Sequence, residues 1–176
     1  AVAAGYAGTR VPMLETDSDE TKILIAYFSK TGTTEEAARE IQETAGGDLF
    51  EITVADQYPS SYQSTVDRAR RELDQNARPE LSSRVENMED YDVILLGYPI
   101  WWHTAPMAVN TFLESYDLTG KTILQFCTSG GSGIEESMPD IQRLSQSRGA
   151  SVGSGLTANS LNREEITQWL TQNGIS

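Results

Sequence analysis

Three short segments of the sequence combine residue types that could do chemistry, and the first is rich in hydroxyl groups. It runs Ser29-Lys30-Thr31-Gly32-Thr33-Thr34 and follows an apolar run. Its hydroxyls, its backbone N–H groups and the start of a predicted helix together indicate an anion-binding site. Gly32 allows the chain to approach such an anion closely. An ordinary threonine-rich helix cap is the alternative interpretation.

Two common phosphate-binding signatures are missing from this segment. The spacing GxxxxGK[ST] is absent, and so is GxGxxG. Hydrolysis of a nucleoside triphosphate is therefore disfavoured.

The second segment places two adjacent tryptophans after another apolar run. It runs Tyr98-Pro99-Ile100-Trp101-Trp102-His103-Thr104-Ala105-Pro106. Aromatic planes at the end of a strand could flank a planar ligand. The alternative is that one tryptophan packs beneath the following helix, which we expect for at least one of them. His103 is either a ligand contact or proton donor, or a solvated loop histidine.

The third segment, residues 128–133, combines hydroxyls with three glycines. Its N–H groups could bind the carbonyl oxygens and ring nitrogens of a heterocycle, although a flexible connection is the simpler interpretation. Cys127 precedes it within an apolar run, where a buried structural thiol is favoured over a redox role.

The elements that position these segments alternate along the chain. Apolar runs predict strands, and stretches with apolar residues at helical spacing predict helices between them. Such alternation indicates a parallel sheet covered on both faces, with the ligand beyond the carboxyl ends of the strands. The three segments follow strands one, three and four. The strands are predicted over 23–28, 50–54, 93–98, 122–128 and 151–157, and the helices over 33–45, 62–73, 106–116, 138–144 and 162–170.

Composition narrows the function classes. With 176 residues the chain suits one domain, and its 26 acidic against 13 basic residues give a net charge of −13. Nucleic-acid binding is disfavoured, because phosphate backbones require basic patches. The chain has one Cys and one His, which excludes an internal disulfide framework and a multi-histidine metal site, and no metal site is expected. No apolar run has the length of a transmembrane segment.

Residues 1–20 are rich in Ala, Gly, Thr and acids without a clear period, and we expect a flexible leader ahead of one domain over residues 21–176. The Ala start raises the hypothesis of a removed signal or tether. Cytoplasmic and extracytoplasmic locations both stay open.

Taken together, the three segments resemble those of flavodoxins over residues 21–176. The strongest element is residues 25–34, which resemble the family's signature for the phosphate of FMN, and the Gly-rich third segment matches in position and type. No long insertion interrupts the fifth strand, as in the short-chain form. The resemblance implies an α/β flavodoxin-like three-layer sandwich, with a five-stranded parallel sheet in the order 2-1-3-4-5 and helices on both faces. It also implies that the cofactor lies at the topological switch point of the sheet.

The resemblance implies FMN as the cofactor and assigns residues to its parts. Hydroxyls for the phosphate would come from Ser29, Thr31 and Thr34. Backbone N–H groups for the phosphate would come from Lys30, Gly32 and Thr33. The isoalloxazine ring would be lined by Pro99, Ile100, Trp101 and Trp102, with His103 in the same site. The opposite edge of the ring or the ribityl chain would be surrounded by Thr128, Ser129, Gly130, Gly131 and Gly133.

One departure from the family pattern concerns backbone conformation. Many flavodoxins carry a Gly after the ring-flanking aromatic residue, and its peptide flips when the flavin is reduced. Here Trp101-Trp102-His103 offers no Gly. A residue other than Gly resists a positive φ, which weighs against strong stabilisation of the one-electron form.

The resemblance favours a low-potential electron carrier over a substrate-converting enzyme. An acidic surface would lower the potential and attract redox proteins with basic surfaces, and a monomer is expected. The alternative is a flavin-dependent NAD(P)H:quinone-type oxidoreductase, because Pro-Ile-Trp-Trp is similar to loops of flavodoxin-like quinone reductases. A third hypothesis is a binding module on this fold that has lost its flavin.

Overall fold

A computed structural model of the chain describes residues 21–129, 133–159 and 162–175. The predicted leader, residues 1–20, lies outside the described residues, as do Gly130 and Gly131 of the third segment.

The strands form one parallel sheet in the predicted order. Numbered along the chain, the strands lie in the order 2-1-3-4-5, and a short sixth strand also pairs with the fourth. The strand predicted over 151–157 is thus two short strands. Residues 153–155 between them leave the sheet and contact the last helix. There the backbone N–H of Ser154 donates to Asn173 Oδ1 at 2.9 Å, and the indole N–H of Trp169 donates to the carbonyl of Ser154 at 2.9 Å. The strands are β1 (Ile23–Tyr27), β2 (Asp48–Glu51), β3 (Val93–Pro99), β4 (Thr122–Thr128), β5 (Ser151–Val152) and β6 (Leu156–Thr157).

The predicted extent of the second strand is wrong. β2 ends at Glu51, and Val54 instead makes an isolated antiparallel bridge with Leu81. The chain leaves the sheet there because Ala55 donates its N–H to the carbonyl of Glu80 at 2.8 Å. The alternation of apolar residues in the sequence extends to Val54, which is buried. Val54 pairs with the loop at Leu81 rather than with the sheet, so the alternation overestimated the strand.

The described ranges contain five α-helices, four between strands and one after the last strand. Asn162 caps the last one as expected for its type, since its Oδ1 accepts the N–H of Glu165 at 2.9 Å. Pro106 precedes the third helix instead of lying in its first turn, because its ψ of 146° is extended. The helices are α1 (Thr33–Ala45), α2 (Tyr62–Asp74), α3 (Met107–Glu114), α4 (Met138–Ser147) and α5 (Arg163–Gln172).

The sheet lies between two apolar layers, as the predicted three-layer sandwich requires. On one face, Ile41 of α1 and Trp169 of α5 pack with Ile25 of the sheet. On the other face, Phe112 of α3 and Ile141 of α4 pack in a cluster with further sheet residues. Successive strand residues contribute to opposite faces, and for this reason the strands are apolar throughout. Within the described ranges, no helix is both long and apolar enough to cross a membrane.

The carboxyl ends of β1, β3 and β4 meet at one edge of the sheet. Phe28 donates its N–H to the carbonyl of Gly97 at 2.9 Å, and Ile100 donates to the carbonyl of Thr128 at 3.0 Å. These bonds extend the strand pairing to the start of each connecting segment. The three segments singled out in the sequence therefore begin side by side.

Candidate functional site

A cleft of about 510 Å³ opens at this edge of the sheet. The three segments supply most of its lining, and the beginning of α2 with the loop before it supplies the rest. From the segments come Lys30, Thr31, Thr34, Pro99, Ile100, Trp101, Trp102, His103, Thr128 and Ser129. From the α2 side come Ser60, Tyr62, Thr65, Val66 and Ala69.

The first segment is folded around the hydroxyl of Ser29. Its Oγ accepts the backbone N–H of Gly32 at 3.1 Å and that of Glu35 at 3.3 Å. Gly32 has φ 97°, a left-handed conformation that favours glycine, and it leads directly into α1. Ser29, Gly32 and Thr33 are not among the residues that line the cleft. The Ser29 hydroxyl thus shapes the loop, and Lys30, Thr31 and Thr34 are the residues of this segment that line the cleft.

Unused donors remain at the start of α1. Within the described ranges, the backbone N–H groups of Thr31, Thr33 and Thr34 have no acceptor. Thr33 and Thr34 are the first two residues of a 13-residue helix, at its positive end, and Thr31 lies two residues before it. Lys30 is half-buried beside them and makes no ion pair with any described residue. This end of the cleft is therefore suited to an anion.

The first and third segments are joined by a buried hydrogen bond. The Oγ1 atoms of Thr34 and Thr128 lie 2.7 Å apart, and both residues are almost fully buried. Beyond it, Asn159 accepts the N–H of Ser129 at 2.8 Å. The N–H of Ile134, just after Gly133, donates to Thr157 Oγ1 at 3.0 Å. The described ends of the third segment are thus held by the strand β6 region, while Gly133 itself does not line the cleft.

The second segment forms a tight two-residue turn. Trp101 and Thr104 exchange backbone hydrogen bonds of 2.8 and 3.1 Å, and Trp102 and His103 lie between them with φ of 53° and 69°. The expectation that residues other than Gly would resist positive φ here is therefore wrong. Two consecutive left-handed residues are what this turn type requires, and closing both backbone hydrogen bonds offsets the strain.

The two tryptophans have different environments, and Trp101 is the one that packs against the apolar core. Trp101 is half-buried, and its ring contacts the rings of Phe28 and Tyr58 edge-on at 5.4 and 5.3 Å. Trp102 keeps 40% of its surface exposed. Its indole N–H donates to the carbonyl of Val66 at 3.1 Å, which joins the second segment to α2.

His103 lies at the mouth of the cleft and is largely solvated. Its side chain is 78% exposed, and its Nδ1 lies 3.2 Å from Oε1 of Glu136. This contact links the second segment to the 3₁₀ turn that follows the third. Both interpretations of this histidine stay compatible with its position, because it lines the cleft and also faces water.

The cleft differs in charge from the molecule as a whole. Among its lining residues within the described ranges there is no carboxylate, whereas Lys30 and His103 are both present. The chain as a whole carries a net charge of −13. An anionic ligand would therefore meet no direct repulsion from the walls.

Two titratable groups beneath the cleft are held neutral. Burial raises the pKa of the Cys127 thiol to about 11, against a smaller lowering by Thr157. Burial likewise raises the pKa of Tyr98 to about 12. The hydroxyl of Tyr98 accepts from Gln125 at 2.7 Å and is 2.8 Å from Ser137 Oγ. A protonated buried thiol is a poor nucleophile, in agreement with a structural role for Cys127.

The α2 wall of the cleft is the part that sequence reasoning missed. Tyr62, Val66 and Ala69 recur at helical spacing, which predicts an apolar helix face but not whether the face meets core or ligand. Within the described ranges, no group of three or more His, Cys, Asp or Glu residues is arranged to hold a metal ion.

Comparison with known proteins decides the family. A protein-family model described as Flavodoxin matches residues 22–173. The chain belongs to the flavodoxin family. A comparison with curated proteins gives no match.

Solved structures resemble this flavodoxin-family chain over most of its length. A candidate flavoprotein from Bacteroides eggerthii DSM 20697 is 37% identical with a TM-score of 0.82, and the match covers 89% of this chain and 100% of that one. A second, from Bacteroides uniformis ATCC 8492, is 37% identical with a TM-score of 0.77, covering 86% and 98%. A flavoprotein in complex with FMN from Lactobacillus acidophilus NCFM is 23% identical with a TM-score of 0.73, covering 85% and 99%. The last of these supports the flavodoxin-like fold.

Proposed function

We propose that the protein binds FMN in this cleft and acts as a low-potential electron-transfer flavodoxin. One observation carries the proposal. Thr31 and Thr34, whose backbone N–H groups have no acceptor in the described chain, and Lys30 line a cleft that has aromatic walls and no carboxylate among its described lining. A phosphate joined to a planar ring system matches both ends of that arrangement.

The residues present fit the parts of FMN. N–H groups and hydroxyls of Thr31 and Thr34 would hold the phosphate without requiring a second cation. Ile100, Trp101 and Trp102 would cover the isoalloxazine ring, and Thr128 and Ser129 would lie toward its opposite edge. Gly130, Gly131 and Gly133 are proposed for that edge or the ribityl chain. The FMN complex of the Lactobacillus acidophilus relative supports this choice of cofactor.

The bound FMN would supply the redox chemistry, and the chain's own residues would bind it and set its surroundings. The apolar wall formed by Ile100 and the two tryptophans excludes water from the face it covers. Lys30 places one positive charge at the phosphate end. His103 is exposed at the mouth of the cleft, where its ring can donate a hydrogen bond to a ligand or to solvent.

The charge of the chain supports a low potential. Adding electrons to a group inside a molecule of net charge −13 is unfavourable, and the effect weakens as salt screens the acidic surface. The same surface would attract redox proteins with basic surfaces, and we propose that the carrier works as a monomer.

Titration of the apoprotein with FMN and with riboflavin tests the cofactor assignment. We expect FMN to bind at least about tenfold more tightly, because riboflavin lacks the phosphate and the donors of the first segment would stay unused. Equal affinities would remove the phosphate site from the proposal. If neither flavin binds, a binding module without flavin takes its place.

A potentiometric titration of the FMN-loaded protein tests the electron-transfer part. The midpoint potential of the bound FMN should lie below that of free FMN and should rise with ionic strength. A potential at or above that of free FMN would contradict a low-potential carrier.

A flavin-dependent NAD(P)H:quinone-type oxidoreductase is the second candidate. The α2 wall favours it, since Tyr62 lines the cleft while remaining 83% exposed, which leaves the mouth accessible to a small molecule. Oxidation of NADH or NADPH by the FMN-loaded protein, with a naphthoquinone as acceptor, distinguishes the two. Steady-state turnover well above that of free FMN would favour the enzyme.

A further inference from the structure

The indole of Trp101 lines the cleft without a polar anchor. Within the described part of the chain its ring N–H makes no hydrogen bond, whereas the ring N–H of Trp102 donates to a backbone carbonyl. Phe28 and Tyr58 contact the Trp101 ring edge-on at 5.4 and 5.3 Å, and their own rings lie 5.8 Å apart. Neither of them lines the cleft. The orientation of the Trp101 ring therefore depends on how firmly these two supporting rings are held.

Tyr58 is the supporting ring that carries a polar group, and two charged side chains hold it. Its hydroxyl donates to Oε1 of Glu72, and the guanidinium of Arg68 lies 4.0 Å from the centre of its ring. Nε of Arg68 donates to Oε2 of Glu72 at 3.0 Å, which closes the triangle. Burial and the hydrogen bond to Glu72 raise the pKa of Tyr58 above its ordinary value. The hydroxyl therefore stays protonated and remains a donor at neutral pH.

Arg68 also ties this triangle to the backbone just before Tyr58. Its guanidinium donates to the carbonyls of Asp56 and Gln57 at 2.6 and 2.9 Å. The side chains of Arg68 and Glu72 are 14% and 13% exposed, which makes theirs the least exposed ion pair of the described ranges. A buried ion pair is weak evidence for stability, because desolvation offsets the attraction. Its evident effect here is geometric, since both ends of the Tyr58 ring are fixed.

We propose that Tyr58 is a positioning residue for the flavin ring, because Glu72 and Arg68 hold it where it orients the Trp101 indole. This inference rests on the proposed function, in which Trp101 covers the isoalloxazine. Edge contacts between aromatic rings have a preferred geometry, so a Tyr58 ring that moves allows the indole to turn away from the flavin. The donors proposed for the phosphate belong to the first segment and take no part in this network. Tyr58 should therefore affect flavins with and without a phosphate alike.

Titration of the full-length apoprotein with FMN and with riboflavin tests the proposal. Tyr58→Phe keeps the ring and removes the bond to Glu72, and we expect the Kd of both flavins to rise about fivefold and by the same factor. Glu72→Ala should have the same effect. Glu72→Gln should largely restore both affinities, because an amide can accept from Arg68 and donate to the Tyr58 hydroxyl.

Tyr91→Phe is the matched control. The hydroxyl of Tyr91 donates to Oδ2 of Asp48 at 2.6 Å, and Tyr91 does not line the cleft. The substitution removes the same kind of bond from a tyrosine to a carboxylate. It should lower the stability to urea about as much as Tyr58→Phe does, and it should leave the Kd of both flavins unchanged.

Acrylamide quenching of tryptophan fluorescence in the apoprotein supplies a readout that needs no flavin. Tyr58→Phe should increase the quenching, because a loosened Trp101 ring is more accessible to solvent. In a Trp101→Phe background the remaining tryptophans are Trp102 and Trp169, and Tyr58→Phe should then have no effect on quenching. In the same background it should change the Kd of riboflavin less than about twofold, because the ring through which it acts is gone.

The outcomes separate this inference from the proposed function. If the unmodified apoprotein binds neither flavin, the proposed function fails and this inference fails with it. If flavins bind but Tyr58→Phe changes neither Kd nor quenching, only the positioning role is overturned. It is likewise overturned if Tyr91→Phe weakens flavin binding as much, if only the Kd of FMN changes, or if the effect of Tyr58→Phe persists in full without Trp101.

Discussion

The hydroxyl oxygens of Thr34 and Thr128 lie 2.7 Å apart across a gap of 94 residues in the sequence. The bond joins the first turn of α1 to the last residue of β4. The segment proposed to hold the phosphate and the segment proposed to border the ring are therefore connected inside the protein.

Removing this bond should cost both stability and cofactor affinity. Thr34→Val keeps the shape of the side chain but leaves the buried hydroxyl of Thr128 without a partner, and we expect a loss of about 1–3 kcal/mol in the free energy of unfolding. Urea denaturation measures this loss, and FMN titration should show weaker binding. Thr34→Ser restores the hydroxyl and should recover most of both quantities. The double variant Thr34→Val/Thr128→Val should lose less stability than the sum of the losses in the two single variants. If the two losses simply add, the two residues do not stabilise each other through this bond.

Lys30 should affect FMN but not riboflavin. Lys30 lines the cleft beside the start of α1, where the phosphate is proposed to bind, so Lys30→Ala should raise the Kd of FMN about tenfold at low salt, and less at high salt. Riboflavin has no phosphate, and its Kd should not change. Lys22→Ala removes the same charge at an exposed position outside the cleft and serves as the control. An equal effect on both flavins would mean that Lys30 contacts the ring or supports the fold instead.

The left-handed turn should reverse the usual preference for alanine over glycine. At position 103, φ is 69°, so Ala carries a steric cost that Gly does not. His103→Gly should therefore be more stable than His103→Ala by about 1 kcal/mol, since both lose the contact with Glu136 equally. In the helical control pair, Gln63→Gly should be less stable than Gln63→Ala by a similar amount. If Ala is the more stable residue at both positions, the turn does not keep its left-handed conformation in solution.

The elements whose bounds were predicted correctly are those defined by neighbouring residues in the sequence. The bounds predicted for α1 and β4 match the structure, because each is bordered by its own stop signals, Gly46 after the helix and Gly120 shortly before the strand. β2 and the fifth strand depend on distant partners. Val54 pairs with Leu81 and the last strand is divided by contacts with Asn173, and no local period indicates either.

The site shows the same distinction. The order of strands and helices is enough to predict that the three segments meet, because carboxyl ends of parallel strands share an edge. The wall from α2 could not be predicted, since it depends on where Trp102 lies. That position follows from the left-handed turn and from a hydrogen bond to the backbone carbonyl of Val66. Every residue has a backbone carbonyl, so the sequence does not indicate which of them accepts the bond.

Cys127 should make stability depend on pH in the alkaline range. Burial raises the pKa of its thiol to about 11 in the folded protein, whereas an exposed thiol in the unfolded chain titrates near pH 8.5. A raised pKa in the folded state means that the stability contributed by the protonated thiol is complete below about pH 8.5 and is lost as the pH rises toward 11. The loss amounts to about 2–3 kcal/mol in the free energy of unfolding.

Cys127→Ala cannot titrate, so the stability difference between the unmodified protein and this variant should shrink from pH 8 to pH 11. Buried tyrosines such as Tyr98 titrate in both proteins and cancel in the difference. Urea denaturation of both proteins at several pH values, under reducing conditions, measures this stability difference. A difference that does not change with pH would show that the thiol is exposed to solvent in the folded protein.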